Sequence, residues 1–349
     1  MTDFSPRKLT LLYQNPATPL RGWYEEIFAP WIKDVVEDGS HTVVMDDCIV
    51  SESFLQTQDP AYFARFAGKN AFLLLSPDEY YNAPFALYRH FCGVFRSHYS
   101  AAYSPKRVMQ MPTGYNPGFE RQELGKPASE RKYIWSFLGQ VNKSTRPECL
   151  RSLLQVEPHC WYASDGWSPH AKRPSGQSDV VKPTEQYIEI LRESVFTPCP
   201  LGNVSQESLR VYEALQMGSI PVLERRSTMD AHRSVLGEHP LPTFSSWKKA
   251  AAWMREIAGQ PHQIDQLQRD CMAWWTDYKL RLSGEIGEFL GRLQDHPSTP
   301  ETRYVAPYAS LPGWSLFELT RHHTPRAFLR RLELTAVRLA RTRKLFIHS

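Results

Sequence analysis

The sequence predicts an α/β chain with two doubly wound domains, each built on a parallel sheet, followed by a basic helical tail. Three observations predict it. Short, continuous apolar runs such as "KLTLLYQ" (8–14) and "NAFLLL" (70–75) read as strands buried on both faces rather than on one. Between these runs lie stretches whose apolar residues recur at helical spacing. At 349 residues the chain exceeds what one core of the commonest size holds, so two domains are expected.

In chain order, "KLTLLYQ" is the first strand and "RGWYEEIFAPWIKDVVEDG" (21–39) a loop and helix ended by Gly39. "HTVVMDD" (41–47) reads as a second strand running into acids. "NAFLLLSPDEYY" (70–81) is a buried strand that stops where Ser-Pro opens its loop. "GVFRSHYS" (93–100) and "RVMQMPTGYNPGF" (107–119) are two further strands that deliver polar or glycine residues at their ends. A polar stretch, "ERQELGKPASERK" (120–132), is the expected linker. A second alternating region follows, from "YIWSFLGQ" (133–140) through "TEQYIEILRES" (184–194) to "SSWKKAAAWMREIA" (245–258) and the helical run 263–293. The expected domains are therefore 1–122, on the acceptor side, and 130–298, with the tail at 299–349. In doubly wound sheets ligands sit beyond the C-terminal strand ends, so strand-end residues are the candidates for chemistry.

Charge and cysteine usage exclude several classes. Lys plus Arg at 41 against Asp plus Glu at 37 gives +4, too small an excess to indicate a nucleic-acid partner. Six scattered cysteines without a Cys-x-x-Cys pair argue against a zinc site or a disulfide scaffold and suit a reducing cytosol. Neither a signal peptide nor an apolar run long enough to span a bilayer is evident, so a cytoplasmic protein is expected. The tail is different: 321–349 carries eight Lys or Arg and one acid, Glu333, among Leu, Phe and Val at helical spacing. Two readings stand for it, docking on an anionic membrane surface at the inner face, or a helix packed on the body with a solvated basic side.

The densest chemistry lies in "FTPCPLGNVSQESLRVYEALQMGSIPVL" (196–223). A helix opening at about Ser205 presents free N–H groups and the positive end of its dipole, which is an anion site. Ser208 adds a hydroxyl, Arg210 a bidentate donor for phosphate oxygens, and Glu213, one turn further, a carboxylate for the vicinal hydroxyls of a ribose. A plainer reading has Ser205 capping the helix and Arg210 pairing with Glu213 as an ordinary ion pair.

The pattern Pro-Leu-Gly, Glu-Ser, x-Arg, x-x-Glu-Ala-Leu, x-x-Gly-x-Ile-Pro-Val resembles the C-terminal donor-binding signature of exostosin-like glycosyltransferases. "LLLSPDEYYNAPFALYRHFCGVFRSHYS", "VMQMPTGYNPGF" and "WSFLGQVNKSTRPECL" are similar to further segments of that family, in the same order, from about residue 70 to 223. The resemblance implies a GT-B type fold, two Rossmann-like domains facing a cleft, and transfer of a sugar from a nucleoside diphosphate donor. Taken with the basic tail, it leads to the expectation of a glycan or lipid-linked acceptor in bacterial surface polysaccharide synthesis, although the family's own acceptors do not carry over. It implies donor contacts from Ser208, Arg210 and Glu213, further positive charge from Lys143 and Arg146 after the Gly139 loop, and backbone close to the donor at Gly114 and Tyr115. It also supports a functional role for Arg96, at the diphosphate or at an anionic acceptor. No Asp-x-Asp metal motif is evident and no cofactor is expected, because helix ends and cations neutralise the leaving group. An inverting transfer needs a base for the acceptor hydroxyl. Glu79, with its neighbour Asp78, is the favoured candidate, Asp46 and Asp47 are the reserve, and His90 and His98 read as packed polar residues. A pentosyl-phosphate transferase fed by phosphoribosyl diphosphate and a catalytically silent sugar-binding scaffold remain as alternatives on the same fold.

Overall fold

The computed structural model describes residues 6–15, 18–52, 60–76, 85–100, 102–122, 125–141, 144–163, 184–202, 205–225, 230–299 and 302–305. The chain divides into two units, Met1–Thr113 with Ser234–Leu236 and Tyr278–Ser349, and Gly114–Arg233 with Gly237–Asp277. Each unit is built on one parallel sheet, which makes the chain α/β as expected.

In the first unit the strands are β1 (Leu9–Tyr13), β2 (Ile32–Glu37), β3 (Cys48–Glu52), β4 (Ala71–Leu75), β5 (Gly93–Arg96) and β6 (Val108–Gln110). Their order is β2-β1-β3-β4-β5-β6, all parallel. The helices α1 (Arg21–Phe28) and α2 (Pro60–Ala64) lie between them in sequence. β1, β3, β4 and β5 are buried along their whole length; for β4 this is why the sequence reads as a continuous apolar run, whereas β3, which ends in Ser51 and Glu52, does not read as a strand. Phe63, Phe66 and Phe91 fill one side of the sheet against Val50 and Leu73.

Two elements differ from the sequence reading. The helix expected over 21–39 stops at Phe28; Pro30, which has no N–H to donate, sits in the tight turn Ala29–Trp31, and Ile32–Glu37 continues as edge strand β2. Its alternation of exposed charge with Val35 and Val36 has neither a clean helical nor a clean strand period. The segment 41–47 is no strand. There the Asp38 carboxylate accepts from the backbone N–H groups of Thr42 and Val43 (3.2 and 2.7 Å), holding the chain in a turn until β3 begins at Cys48.

In the second unit β7 (Tyr133–Gly139), β8 (His159–Ala163), β9 (Ser194–Cys199), β10 (Ile220–Glu224) and β11 (Thr243–Phe244) are ordered β11-β10-β9-β7-β8. They alternate with α3 (Arg146–Leu153), α4 (Thr184–Arg192), α5 (Leu209–Gln216), α6 (Ala231–Leu236), α7 (Trp247–Ala258) and the long α8 (Pro261–Leu293). Renumbered within each unit, both orders read 2-1-3-4-5, with a sixth strand in the first. The direction of winding reverses between β1 and β3 in one sheet and between β7 and β9 in the other, the places where such sheets bind ligands.

The polar stretch 120–132 is docked within the second unit rather than free-running: the Ala128 and Ser129 N–H groups donate to Gln268 Oε1 and Asp265 Oδ1, both at 2.8 Å. The neighbouring Arg131 is buried and donates to the carbonyl oxygens of Lys126, Leu191, Ser194 and Met217. Two of these end α4 and α5, so one guanidinium satisfies orphan carbonyls of both helices. Burial pushes it down to about 10, still charged at neutral pH, with Glu193 opposing the shift. The helix α8 begins in the second unit and passes at Tyr278 into the first, short of the expected domain end at 298. Its last turns pack Phe289 on Phe72 and Phe95, at 6.4 and 5.0 Å between ring centres. The tail from 306 onward lies outside the described residues, and no helix among those described is long and apolar enough to cross a membrane.

Trp31 lies directly over Gly287 and donates its indole N–H to Ser283 O at 2.7 Å. A Cβ at 287 falls within that ring, whereas one at Gly284 meets nothing within 4 Å. Gly287→Ala is therefore expected to destabilise the chain by about 1–3 kcal/mol, and Gly284→Ala to be neutral or stabilising by up to about 1 kcal/mol. Thermal unfolding followed by circular dichroism checks both.

Candidate functional site

The second sheet's switch point is flanked by the C-terminal ends of β7 and β9, and most of the candidate donor residues collect there. After β9 the chain runs through Pro200, Leu201 and Gly202 and does not enter a helix at Ser205. The Ser205 hydroxyl accepts from the Glu207 N–H at 3.0 Å, and α5 begins only at Leu209. Its N-cap is Ser208, in extended conformation and half-buried, with no side-chain capping hydrogen bond. The Glu207 carboxylate is buried and accepts from Tyr212 Oη at 2.6 Å.

Arg210, in the first turn of α5, is 8% exposed. Its Nη2 donates to Leu138 O at 2.7 Å and its guanidinium lies 4.4 Å from the centre of the Phe137 ring. Its Nε is buried and has no hydrogen-bond partner among the described residues. Gly139 makes this approach possible. Its φ is +136°, and a Cβ there sits 2.9 Å from Arg210 Nη2, so both backbone and space call for glycine.

Glu213, one turn on, is 4% exposed and does not pair with Arg210 as a surface ion pair. Its Oε1 accepts from Asn116 Nδ2 at 2.7 Å and its Oε2 from Tyr187 Oη at 3.0 Å. Burial raises its carboxyl above the usual range, opposed by Arg210, Asn116 and Tyr187. Arg146 opens α3 and donates to Gln140 O at 2.9 Å. Beside it the Thr145 hydroxyl meets Glu224 Oε2 at 2.5 Å, and the same oxygen accepts from Leu201 N–H at 3.3 Å. Glu224, the buried last residue of β10, thus ties together the loops that follow β7 and β9.

Gly114, with φ +75°, and buried Tyr115 lead into Asn116 in the same unit. Sequence reading missed Asn116, Tyr187 and Glu224. The only signal for Glu224 is a carboxylate closing the apolar strand "SIPVLE", and nothing local marks the other two.

The remaining candidates are distributed differently. Arg96 ends β5 in the first unit and is fully buried, donating to Tyr88 Oη at 2.8 Å and to Ser97 O at 3.3 Å, with Tyr103's ring 4.4 Å from its guanidinium. It packs inside its unit rather than presenting a free cation. Asp46 and Asp47 precede β3 and so stand at its N-terminal end, away from the C-terminal edge where ligands bind; Asp46 meets Lys69 at 3.3 Å and Asp47 accepts from Asn70 Nδ2 at 2.5 Å. His98 is buried with φ +66°, and burial lowers the His90 imidazole. Asp78, Glu79 and Lys143 lie outside the described residues. Among the described residues no group of three His, Cys, Asp or Glu side chains could hold a metal ion.

The close approach at Gly139 makes a specific prediction. Gly139→Ala is expected to drive Arg210 off Leu138 and to weaken any binding of inorganic pyrophosphate about tenfold, the loss of one charge-assisted contact. Calorimetric titration measures this, with an unchanged far-ultraviolet spectrum as the control.

A model of the RXYLT1 C-terminal domain matches residues 116–292, which contain Gly139, Arg146, Ser208, Arg210 and Glu213. Ribitol-5-phosphate xylosyltransferase 1 of Danio rerio is 29% identical over 175 residues, covering 46% of this chain and 38% of that protein. The Mus musculus protein of the same name is 26% identical over 178 residues, with 46% and 38% covered. The chain thus spans well under half the length of these relatives. Solved structures of an α1,3-fucosyltransferase (11% identity, 82% and 92% covered, TM-score 0.46) and of T4 phage BGT with UDP and Mn2+ (10%, 81% and 99%, 0.47) are similar only at a distance that carries no argument. The exostosin-like resemblance stands at the coarser level of a related glycosyltransferase family. With half of its length matched, the chain belongs to the family of the RXYLT1 C-terminal domain.

Proposed function

We propose that the chain is a glycosyltransferase that moves a sugar from a nucleoside diphosphate to a hydroxyl of its acceptor, with the donor held by the second unit. One observation carries this reading: Arg210 and Glu213 stand one turn apart on α5, a cation and a buried carboxylate, at the C-terminal edge of the switch point. A diphosphate at the start of α5 meets the free N–H groups of the first turn, the Ser208 hydroxyl and the Arg210 guanidinium, with Arg146 adding charge from α3. Glu213 accepts from a ribose hydroxyl. In the transfer, the acceptor oxygen attacks the anomeric carbon, the bond to the diphosphate breaks, and the electron pair leaves with it. The cations and helix end stabilise that developing charge. The acceptor proton goes to a carboxylate, Glu79 or Asp78, in an inverting displacement.

The relatives' name, ribitol-5-phosphate xylosyltransferase, favours a pentose as the sugar and a polyol phosphate as the acceptor class. These relatives are from Danio rerio and Mus musculus, so they lend no support to the bacterial surface polysaccharide reading. Phosphoribosyl diphosphate shares the diphosphate and the diol and is the competing donor.

Turnover is measured with a panel of nucleoside diphosphate sugars, pentoses included, and ribitol 5-phosphate as acceptor. Arg210→Ala is expected to weaken nucleoside diphosphate binding about 10–100-fold, the worth of hydrogen bonds from a charged group. Glu79→Gln, or failing that Asp78→Asn, is expected to lower kcat about 100–10,000-fold at unchanged donor KM. No transfer or hydrolysis with any donor, together with tighter binding of phosphoribosyl diphosphate than of any nucleoside diphosphate, overturns the reading.

A further inference from the structure

Nothing in the sequence singles out Tyr187 or Asn116, yet three elements converge on Glu213 through them. We propose that Tyr187 and Asn116 are positioning residues that aim the Glu213 carboxylate at the ligand and thereby set the site's preference for a nucleotide carrying ribose over one carrying deoxyribose. This rests on the donor reading above. Each carboxylate oxygen has two lone-pair directions, and the clamp takes one on each: Tyr187 Oη on Oε2 and Asn116 Nδ2 on Oε1. The backbone amide of Asn116 is a third donor, so of the four directions one is left to accept from a ribose hydroxyl.

The clamp is itself held. Gly118, with φ +96°, brings the 114–119 loop so close to α4 that a Cβ there lies 2.9 Å from Thr184 Cγ2. The ring of Phe119 packs edge-on against Tyr187, 5.7 Å between centres at 69°. Phe119 O accepts from Gln216 Nε2 at 2.6 Å, and Gln216 Oε1 in turn accepts from Trp275 Nε1 at 2.8 Å. The loop, α4 and α5 are thus locked together around one carboxylate, and neither clamp residue is free to follow a misplaced Glu213.

The groups facing Glu213 are Arg210 from its own helix, Tyr187 from α4, the Cys199 thiol from β9, and the side-chain and backbone amides of Asn116. Burial and the Glu213 charge hold the Tyr187 phenol well above its ordinary value, so it stays a neutral donor. Burial raises the Glu213 carboxyl, and the Arg210 charge and then the hydrogen bonds from Asn116 and Tyr187 pull it back. The ribose hydroxyl needs the ionised form, so binding is lost as pH falls through the folded value. Removing a donor to the carboxylate raises that value, and the acid limb of binding moves to higher pH.

The test uses the full chain and calorimetry with uridine diphosphate, its 2′-deoxy form and inorganic pyrophosphate, over a series of pH values. For Tyr187→Phe, which keeps the Phe119 contact, and for Asn116→Ala, the ribose-over-deoxyribose preference is expected to fall roughly 2–10-fold, and the acid limb to move up. Pyrophosphate binding is expected to be unchanged, because Arg210 is untouched. If wild type binds the nucleotide and both folded variants keep its preference and acid limb, the clamp is overturned while the donor reading stands. If wild type binds no nucleoside diphosphate, the donor reading fails and the ribose role with it. A ligand-free carbon-13 titration of Glu213 gives a separate readout: an unchanged value in Tyr187→Phe refutes the electrostatic half of the clamp.

Discussion

Burial of the Glu213 carboxylate is the constraint around which the second unit is arranged. A carboxylate 4% exposed costs several kcal/mol unless hydrogen bonds replace the water it has lost. The replacements come from two places far apart in sequence, the 114–119 loop and α4, so satisfying one group fixes both against α5. The same economy recurs nearby. Arg131 gathers four carbonyls, Gln268 joins the 126–128 stretch to Gly218, and Gln216 joins Phe119 to Trp275. Buried polar groups with a fixed set of partners specify one arrangement more sharply than apolar contacts, because a shift of an ångström breaks a hydrogen bond but only loosens a packing contact.

The position of Arg210 follows from a different limit, the volume of a side chain. With glycine at 139, β7 can end under the guanidinium and offer it both the Leu138 carbonyl and the Phe137 face. The contact preorganises the cation beside the switch point at little entropic cost, since planar stacking and one hydrogen bond already restrict it. Its Nε is buried without a hydrogen-bond partner among the described residues, the kind of polar atom that a ligand oxygen satisfies.

Much of this architecture is legible in the sequence where one physical rule dominates. Strands buried on both faces betray themselves as largely apolar runs, unbroken in β4 and nearly so in β1 and β10, and α4 and α7 by helical spacing. Legibility fails where rules compete. Edge strand β2 has one solvated face and mixed charge, so no period stands out, and Pro30 rather than Gly39 ends the preceding helix. At 41–47 a β-rich composition loses to a single side chain, Asp38, that captures the backbone N–H groups a strand would have used. Ser205 does the same before α5, delaying the helix start to Leu209.

By itself the sequence determined the class of fold and the three chemical groups on α5, because buried-strand runs and helical spacing are local properties, and Ser208, Arg210 and Glu213 lie within six residues. Only the tertiary structure decided what surrounds them. Asn116 is 97 positions from Glu213 and Tyr187 is 26, separations over which no periodicity operates. It also decided that Arg96 is sealed among Tyr88 and Tyr103 and that Asp46 and Asp47 stand at the wrong end of β3. A residue's type states what it can bind; which end of a strand carries it, and whether neighbours have already claimed it, is settled by the packing of elements distant in the chain.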